Sequence, residues 1–353
     1  MPMTAYPRRV RIVEVGPRDG LQNEPEIVPI ETKLTLIEHL ADAGLPAIEV
    51  GAFVRPDRVP QMADTEEVIG RLRPRNDVTY IALVPNRRGL ERAVASGIRT
   101  IAVFTAASEA FAQANIGMGI DASLTAFREV AAAARADGVG VRGYISTAWW
   151  CPYAGRTDPK MVRRVAHELL ALGCDDVDVA DTVGAATPAE VSGTLEMLLQ
   201  DVPTGRLAVH FHDTRGTALA NVLASMALGI TTIDASAGGL GGCPFAPGAL
   251  GNLATEDLLF MLHGMGIETG VDLEAVSAAS GRLASALGRP LPSRYLRAGP
   301  LRLRGGTLAT RSPTEAAGRR PAPPPGALPP TDPGTRSRPR ARHLSTPGAS
   351  ARP

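Results

Sequence analysis

The chain has 353 residues, of which 44% are hydrophobic and only 4% aromatic, with a formal net charge of +1. Ten of its arginines fall in residues 301–353 against only Glu315 and Asp332, so residues 1–300 are net acidic, which argues against nucleic acid as a partner. Three widely spaced cysteines (Cys151, Cys174, Cys243) argue against a disulfide framework and fit a reducing compartment, and no apolar run is long enough to span a bilayer. No signal-peptide apolar core precedes the first strand near Val10, so a soluble, cytoplasmic protein with no membrane partner is expected.

Short β-branched runs alternate with longer helical patterns. Strands are predicted at Val10–Val15, Ala47–Gly51, Val78–Val84, Thr100–Phe104, Val139–Thr147, Asp176–Ala180, Leu207–His212 and Thr231–Ser236. Helices are predicted between and after them at Glu31–Ala43, Gln61–Leu72, Arg87–Ala95, Ala122–Ala136, Pro159–Leu172, Pro188–Leu199, Ala218–Leu228 and Thr255–Leu262. Asp158 and Thr187, each just before a proline, read as helix caps. Eight strand–helix pairs in sequence predict an α/β fold of the (β/α)8 TIM-barrel type, with Leu273–Leu287 as a closing helix. A doubly wound open sheet is the alternative, but it would not need eight such regular units. Residues 301–353 hold eleven prolines and no aromatic residue, so a barrel domain over 1–300 and a disordered basic tail over 301–353 are expected.

In such a barrel the chemistry gathers at the C-terminal ends of the strands. Arg18 and Asp19 follow the first strand, where a cation beside a carboxylate could equally be a surface ion pair. Other strand ends argue for more: Glu49, Thr105, Thr147, Asp181-Thr182 and His210-Phe211-His212-Asp213. Residues i and i+2 of a strand face the same side, so His210 and His212 can both bind one ion. Asp19 can add a carboxylate and Asn252 a neutral oxygen, unless Asn252 merely caps the next helix, a task Thr255 could also perform. Nitrogen and oxygen donors without thiolate suit Mg2+ or Mn2+ better than structural zinc. Glu49 needs a partner inside a barrel, and Arg18 is the nearest by topology. The run Gly238 to Gly248 is a glycine-rich loop carrying Cys243, a candidate proton donor or acceptor over the site. Trp149-Trp150 is expected to line a pocket wall.

Several motifs occur together in order: Val13 through Glu24 (Val-Glu-Val-Gly-Pro-Arg-Asp-Gly-Leu-Gln-Asn-Glu), Phe53-Val54 through Met62, His210-Phe211-His212-Asp213-Thr214, Gly239-Leu240-Gly241-Gly242-Cys243-Pro244, and Gly251 through Asp257. On these, residues 8–295 resemble the 3-hydroxy-3-methylglutaryl-CoA lyase family of metal-dependent barrels. The resemblance implies a divalent cation held by Asp19, His210, His212 and Asn252, and cleavage of that acyl-CoA to acetyl-CoA and acetoacetate, as in leucine degradation and ketone-body formation. It implies Arg18, Asp19, Glu49, His210 and Cys243 as catalytic residues, with Arg18, Gln22, Asp181, Thr182 and Gly242 contacting substrate, and a homodimer.

The chain departs from the family's pattern at Ala52, where many relatives carry a hydroxyl, and at the bulky loop Ser146–Cys151, which could admit a different branched 3-hydroxyacyl-CoA. No cysteine follows Cys243, so thiol gating between subunits is not expected. A condensing synthase of the isopropylmalate or citramalate type is the enzymatic alternative, but the tail supplies no folded regulatory domain. A non-catalytic barrel that binds metal or acyl-CoA is the alternative outside enzymes, and the complete set of charged strand-end residues argues against it.

Overall fold

The computed structural model describes residues 6–242 and 251–300, and the backbone of 302–303 and 306–307. Eight parallel strands close on themselves: β1 (Arg11–Glu14), β2 (Ala47–Ala52), β3 (Thr79–Leu83), β4 (Thr100–Ala106), β5 (Gly140–Ser146), β6 (Asp176–Asp181), β7 (Leu207–Phe211) and β8 (Thr232–Ala235). Sequential strands are neighbours, and β8 returns to β1 with Arg11 opposite Thr232 and Glu14 opposite Ala235. All eight predicted strands are present, and the closed (β/α)8 barrel replaces the open-sheet alternative.

The helices run α1 (Ile30–Asp42), α2 (Thr65–Arg71), α3 (Arg87–Ala95), α4 (Glu109–Ile116), α5 (Ile120–Ala136), α6 (Pro159–Leu172), α7 (Pro188–Leu198), α8 (Ala218–Ala227), α9 (Thr255–Gly264), α10 (Leu273–Ala286) and α11 (Arg294–Ala298). The outer layer follows from side-chain period. In α6, Val162, Val165, Ala166 and Leu169 recur at helical spacing and are fully buried. Leu169 packs on Gly143 of β5, where an added Cβ would meet Leu169 Cδ1 at 3.1 Å. Truncating Leu169 to Ala should therefore cost about 2–5 kcal/mol. Asp158 accepts from Lys160 N–H at 2.9 Å to start α6, and Gly173 ends it in the left-handed region at φ 104°. Thr187 caps α7, its amide donating to Glu190 at 2.9 Å.

Four details differ from the sequence reading. The sequence pattern does not predict α4, because its eight residues show too little apolar periodicity; Ser108 caps it, accepting from Phe111 N–H. The predicted helix Gln61–Leu72 is a 3-10 turn at Pro60–Met62 followed by the shorter α2. Thr255 does not cap α9: Ala254 holds the cap position, and the Thr255 hydroxyl donates instead to Glu14 at 2.7 Å. Within the stretch expected to lack structure, Arg302–Leu303 pairs antiparallel with Gly306–Thr307; the rest of 301–353 lies outside the described residues.

The barrel interior is ionic in its middle. Side chains alternate along a strand, so Val141, Gly143 and Ile145 of β5 face the helices while Arg142 and Tyr144 face inward. There they meet Asp178 of β6, Asp234 of β8 and Glu49 of β2, all completely buried, where such barrels usually carry branched aliphatic residues.

Candidate active site

The chain leaves β1 in one wide turn over Gly16–Gly20, in which the Val15 carbonyl accepts both Arg18 N–H and Gly20 N–H at 3.1 Å. Glu14 fixes this turn by accepting from Gly16 and Ala237 amides at 2.8 Å each. Such π-turns are frequent at functional sites. Here the turn sends Arg18 and Asp19 to the barrel mouth.

Arg18 is buried: its Nε donates to Glu49 Oε2 at 2.6 Å, its Nη2 forms an ion pair with the same oxygen at 2.5 Å, and Nη1 donates to Asp19 Oδ1 at 2.7 Å. Glu49 is therefore paired with Arg18, although it lies within β2 rather than at its end. Asp19 also accepts from Gln22 Nε2 at 2.8 Å and from Asn252 Nδ2 at 2.9 Å. One ligand atom from each of Asp19, His210 and His212 lies within 4.8 Å of the others, and the two imidazoles are 5.3 Å apart between centroids.

Asn252 is brought to this group by an isolated antiparallel bridge to His212, with Leu253 N–H donating to the Phe211 carbonyl at 2.9 Å. Its Nδ2 donates to Asp19 and to the Leu240 carbonyl at 3.0 Å, while its buried Oδ1 has no partner. Gly241 makes room for it at φ 121°, since a Cβ there would stand 2.6 Å from Nδ2. A carboxylate, two imidazoles and an unpartnered amide oxygen are a fitting donor set for a divalent cation.

The charges explain the titration of these groups. Burial works to raise Asp19, but Arg18, His210 and His212 outweigh it and hold the carboxyl below its ordinary range. Burial works to lower His210, yet Asp234, Asp178 and Asp19 carry it up to about 9. His212 drops to about 4, through burial and the neighbouring His210 charge. Glu49 is raised, chiefly by burial. Metal binding requires neutral imidazole, so it would release the His210 proton. A second group with cation spacing, Asp178, His210 and Asp234, already holds a cation in Arg142, whose Nη2 donates to Asp178 and Asp234 at 2.9 and 2.7 Å.

The other expected site residues sit around this group. Thr182 Oγ1 accepts from Thr147 N–H at 2.8 Å, holding Thr147 at φ 54°, a conformation β-branched residues avoid. Asp181 is buried and accepts from the amides of Ala185 and Ala186. The Gly242 carbonyl accepts from Asn23 Nδ2 at 2.9 Å. Thr105 shares a hydrogen bond with Ser123 of α5 at 2.7 Å. Cys243 lies outside the described residues. Trp149 packs on Phe211, 5.6 Å between rings, and Phe211 faces away from the two histidines, so Trp149 stands behind the barrel wall rather than on the pocket.

Sequence reasoning missed Arg142, Tyr144, Asp178 and Asp234. The signal was present: each is a polar residue at an inward position with apolar or glycine neighbours on either side, as in Val177-Asp178-Val179 and Ile233-Asp234-Ala235.

Fold and site together define a class, a (β/α)8 barrel whose strand ends present donors suited to a divalent cation. The chain belongs to the HMGL-like family, whose model matches residues 9–282. It is 50% identical over 292 residues to the 3-hydroxy-3-isohexenylglutaryl-CoA/hydroxymethylglutaryl-CoA lyase of Pseudomonas aeruginosa, spanning 83% of this chain and 97% of the relative. It is 48% identical over 293 residues to the mitochondrial hydroxymethylglutaryl-CoA lyase of Bos taurus, spanning 83% and 90%. A crystal structure of hydroxymethylglutaryl-CoA lyase from Pseudomonas aeruginosa superimposes with a TM-score of 0.82 at 50% identity, covering 84% of this chain and 98% of that one. An HMG-CoA lyase from Acinetobacter baumannii, in complex with coenzyme A and 3-methylmalate, gives 0.80 at 38% identity, covering 84% and 97%.

Proposed function

We propose that this chain cleaves 3-hydroxy-3-methylglutaryl-CoA to acetyl-CoA and acetoacetate with a divalent cation, Mg2+ or Mn2+. The observation that carries this reading is Arg18, clamped between Glu49 and Asp19 beside the Asp19–His210–His212–Asn252 donor set. Those four residues would hold the cation, which when bound supplies Lewis acidity toward the tertiary hydroxyl and a carboxylate of the substrate. Asp19 or His210 takes the hydroxyl proton. The O–H electron pair becomes the new ketone π bond as C2–C3 breaks, and the C2–C3 pair moves into the thioester enolate. Arg18 stabilises that oxyanion, its own orientation fixed by Glu49. Cys243 returns a proton to C2, completing acetyl-CoA.

Gln22 and Gly242 are the proposed direct acyl-CoA contacts, and Asp181 and Thr182 serve substrate binding through the loops they order. The catalytic unit is placed within residues 1–300, with 301–353 a dispensable tail, and the working form is taken as a cytoplasmic homodimer. The Pseudomonas aeruginosa relative named for both isohexenylglutaryl-CoA and methylglutaryl-CoA favours a second reading, in which a longer branch at C3 is accepted. The deciding experiment measures acetyl-CoA release from both acyl-CoAs with Mg2+ or Mn2+ and an EDTA control. Metal-dependent release of acetoacetate supports the first reading, faster turnover of the longer substrate supports the second, and release from neither refutes both.

A further inference from the structure

We propose that Tyr144 is a positioning residue of this reaction: its phenol ties Glu49 to Asp234 and so aligns Arg18 and His210 from beneath the site. The Tyr144 hydroxyl lies 3.1 Å from Glu49 Oε1 and 3.0 Å from Asp234 Oδ2. Glu49 uses its other oxygen, Oε2, for both Arg18 contacts. Asp234 gives Oδ1 to Arg142 at 2.7 Å, and its Oδ2 lies 3.5 Å from His210 Nδ1. Arg18, Glu49, Tyr144, Asp234 and His210 therefore form one chain of polar contacts across the barrel interior, reaching the site's arginine and one of its histidines without crossing the donor set.

The ring is held as firmly as the hydroxyl. Tyr144 is buried, with the Arg142 guanidinium 5.1 Å and the Arg18 guanidinium 5.9 Å from its centroid. Both cations face a π surface, a favourable contact that fixes the height of the phenol. A phenol has one proton and donates to one carboxylate at a time. It thus serves as the neutral spacer between two anions that Arg18 and Arg142 neutralise from either side. Without the hydroxyl, Glu49 and Asp234 each lose a buried partner, and the side chains they orient lose their registration. A displacement of about 1 Å at reacting groups can cost roughly a hundredfold in rate.

The proposal rests on the lyase reading above, and the test separates the two. Tyr144→Phe keeps the ring and both cation contacts and removes one oxygen. Its kcat is expected to fall by about tenfold to a hundredfold with KM for the acyl-CoA within about threefold. Read independently of turnover, the Kd for Mn2+ is expected to rise by roughly threefold to tenfold, since outer partners of a ligating histidine tune metal affinity. A Y144F enzyme with kcat within about twofold of an active wild type overturns the proposal. If the wild type turns over no substrate, the lyase reading fails by itself and the affinity arm decides, an unchanged Kd for Mn2+ overturning the role of Tyr144. Should Y144F not fold, a cycle of Glu49→Gln and Asp234→Asn replaces it, followed by single turnovers. These two residues are joined through the Tyr144 hydroxyl, so non-additive losses in kcat support the coupling and additive losses refute it.

Discussion

Replacing Asn252 with Asp changes one heavy atom at the centre of the donor set. The Asn252 Nδ2 donates to Asp19 Oδ2 at 2.9 Å and to the Leu240 carbonyl at 3.0 Å. In Asn252→Asp that nitrogen becomes an oxygen, so two buried hydrogen bonds turn into oxygen–oxygen contacts. Two unit charges 2.9 Å apart repel by roughly 5–6 kcal/mol at an effective dielectric of about 20. Arg18 beside Asp19 and partial proton uptake reduce this, leaving a net loss of about 3–5 kcal/mol in metal-free protein. At about 2–4 °C per kcal/mol, the melting temperature in EDTA should fall by roughly 6–20 °C. Saturating Mn2+ should recover most of the loss, because the charge of a dication held by this donor set would offset the two carboxylates. The assay is thermal unfolding in EDTA and with excess Mn2+. A variant melting within about 2 °C of wild type in EDTA would refute the reasoning, since the amide nitrogen would then not face Asp19.

Arg18→Gln should lower kcat by about two to three orders of magnitude while leaving Mn2+ content unchanged, read by steady-state turnover and metal analysis; an active variant would remove Arg18 from the oxyanion role. Thr182→Val leaves the Thr147 amide without its partner and should cost about 1–3 kcal/mol in urea unfolding; equal stability would show that the strained turn holds itself. In metal-free protein the pH dependence follows from the signs of the shifts. Burial raises Glu14 and Glu256 to about 7, so what they contribute is complete below 4.5 and is lost as pH rises to 7. His210, raised from 6.5 to about 9, contributes stability that is complete below 6.5 and lost as pH rises through 9. His212, lowered to about 4, acts oppositely, its contribution present above 6.5 and lost as pH falls through 4. Between pH 7 and 9 His210 contributes most of the change, with the last part of the Glu14 and Glu256 titrations in the same direction, so stability in EDTA should decline by roughly 1–3 kcal/mol over that range and decline less with saturating Mg2+. A flat urea-denaturation profile in EDTA would contradict the His210 assignment.

The barrel was legible because it is written in local pattern. In the strand Leu207–Phe211 an apolar run of Leu207, Ala208 and Val209 leads straight to His210, and His212 follows on the same face. The pairing of Arg18 with Glu49 was also legible, since neighbouring strand ends leave a buried carboxylate few other cations. Arg142, Tyr144, Asp178 and Asp234 were not, because their meaning depends on which strands face each other across the barrel. A buried charge in a strand reads as an anomaly until its counter-ion, 36 or 92 residues away, is known. Asn252 was open to two readings from sequence; only the bridge to His212 and the unpartnered Oδ1 separate a donor from a helix cap.

The hydrogen bond from Asn252 to Asp19 spans 233 positions of the chain, and those from Ala237 and Thr255 to Glu14 span 223 and 241. Each crosses the seam where the last strand meets the first. Contacts between such distant positions form only when the ring is complete, and they are the slowest to be reached in folding. A growing or truncated chain that ends before Asn252 therefore holds Asp19, His210 and His212 but not the amide that bonds Asp19 and bridges to His212. Cation affinity in this protein is thus a readout of ring closure: refolding followed by Mn2+ uptake would time the final seam rather than the formation of helices or strands.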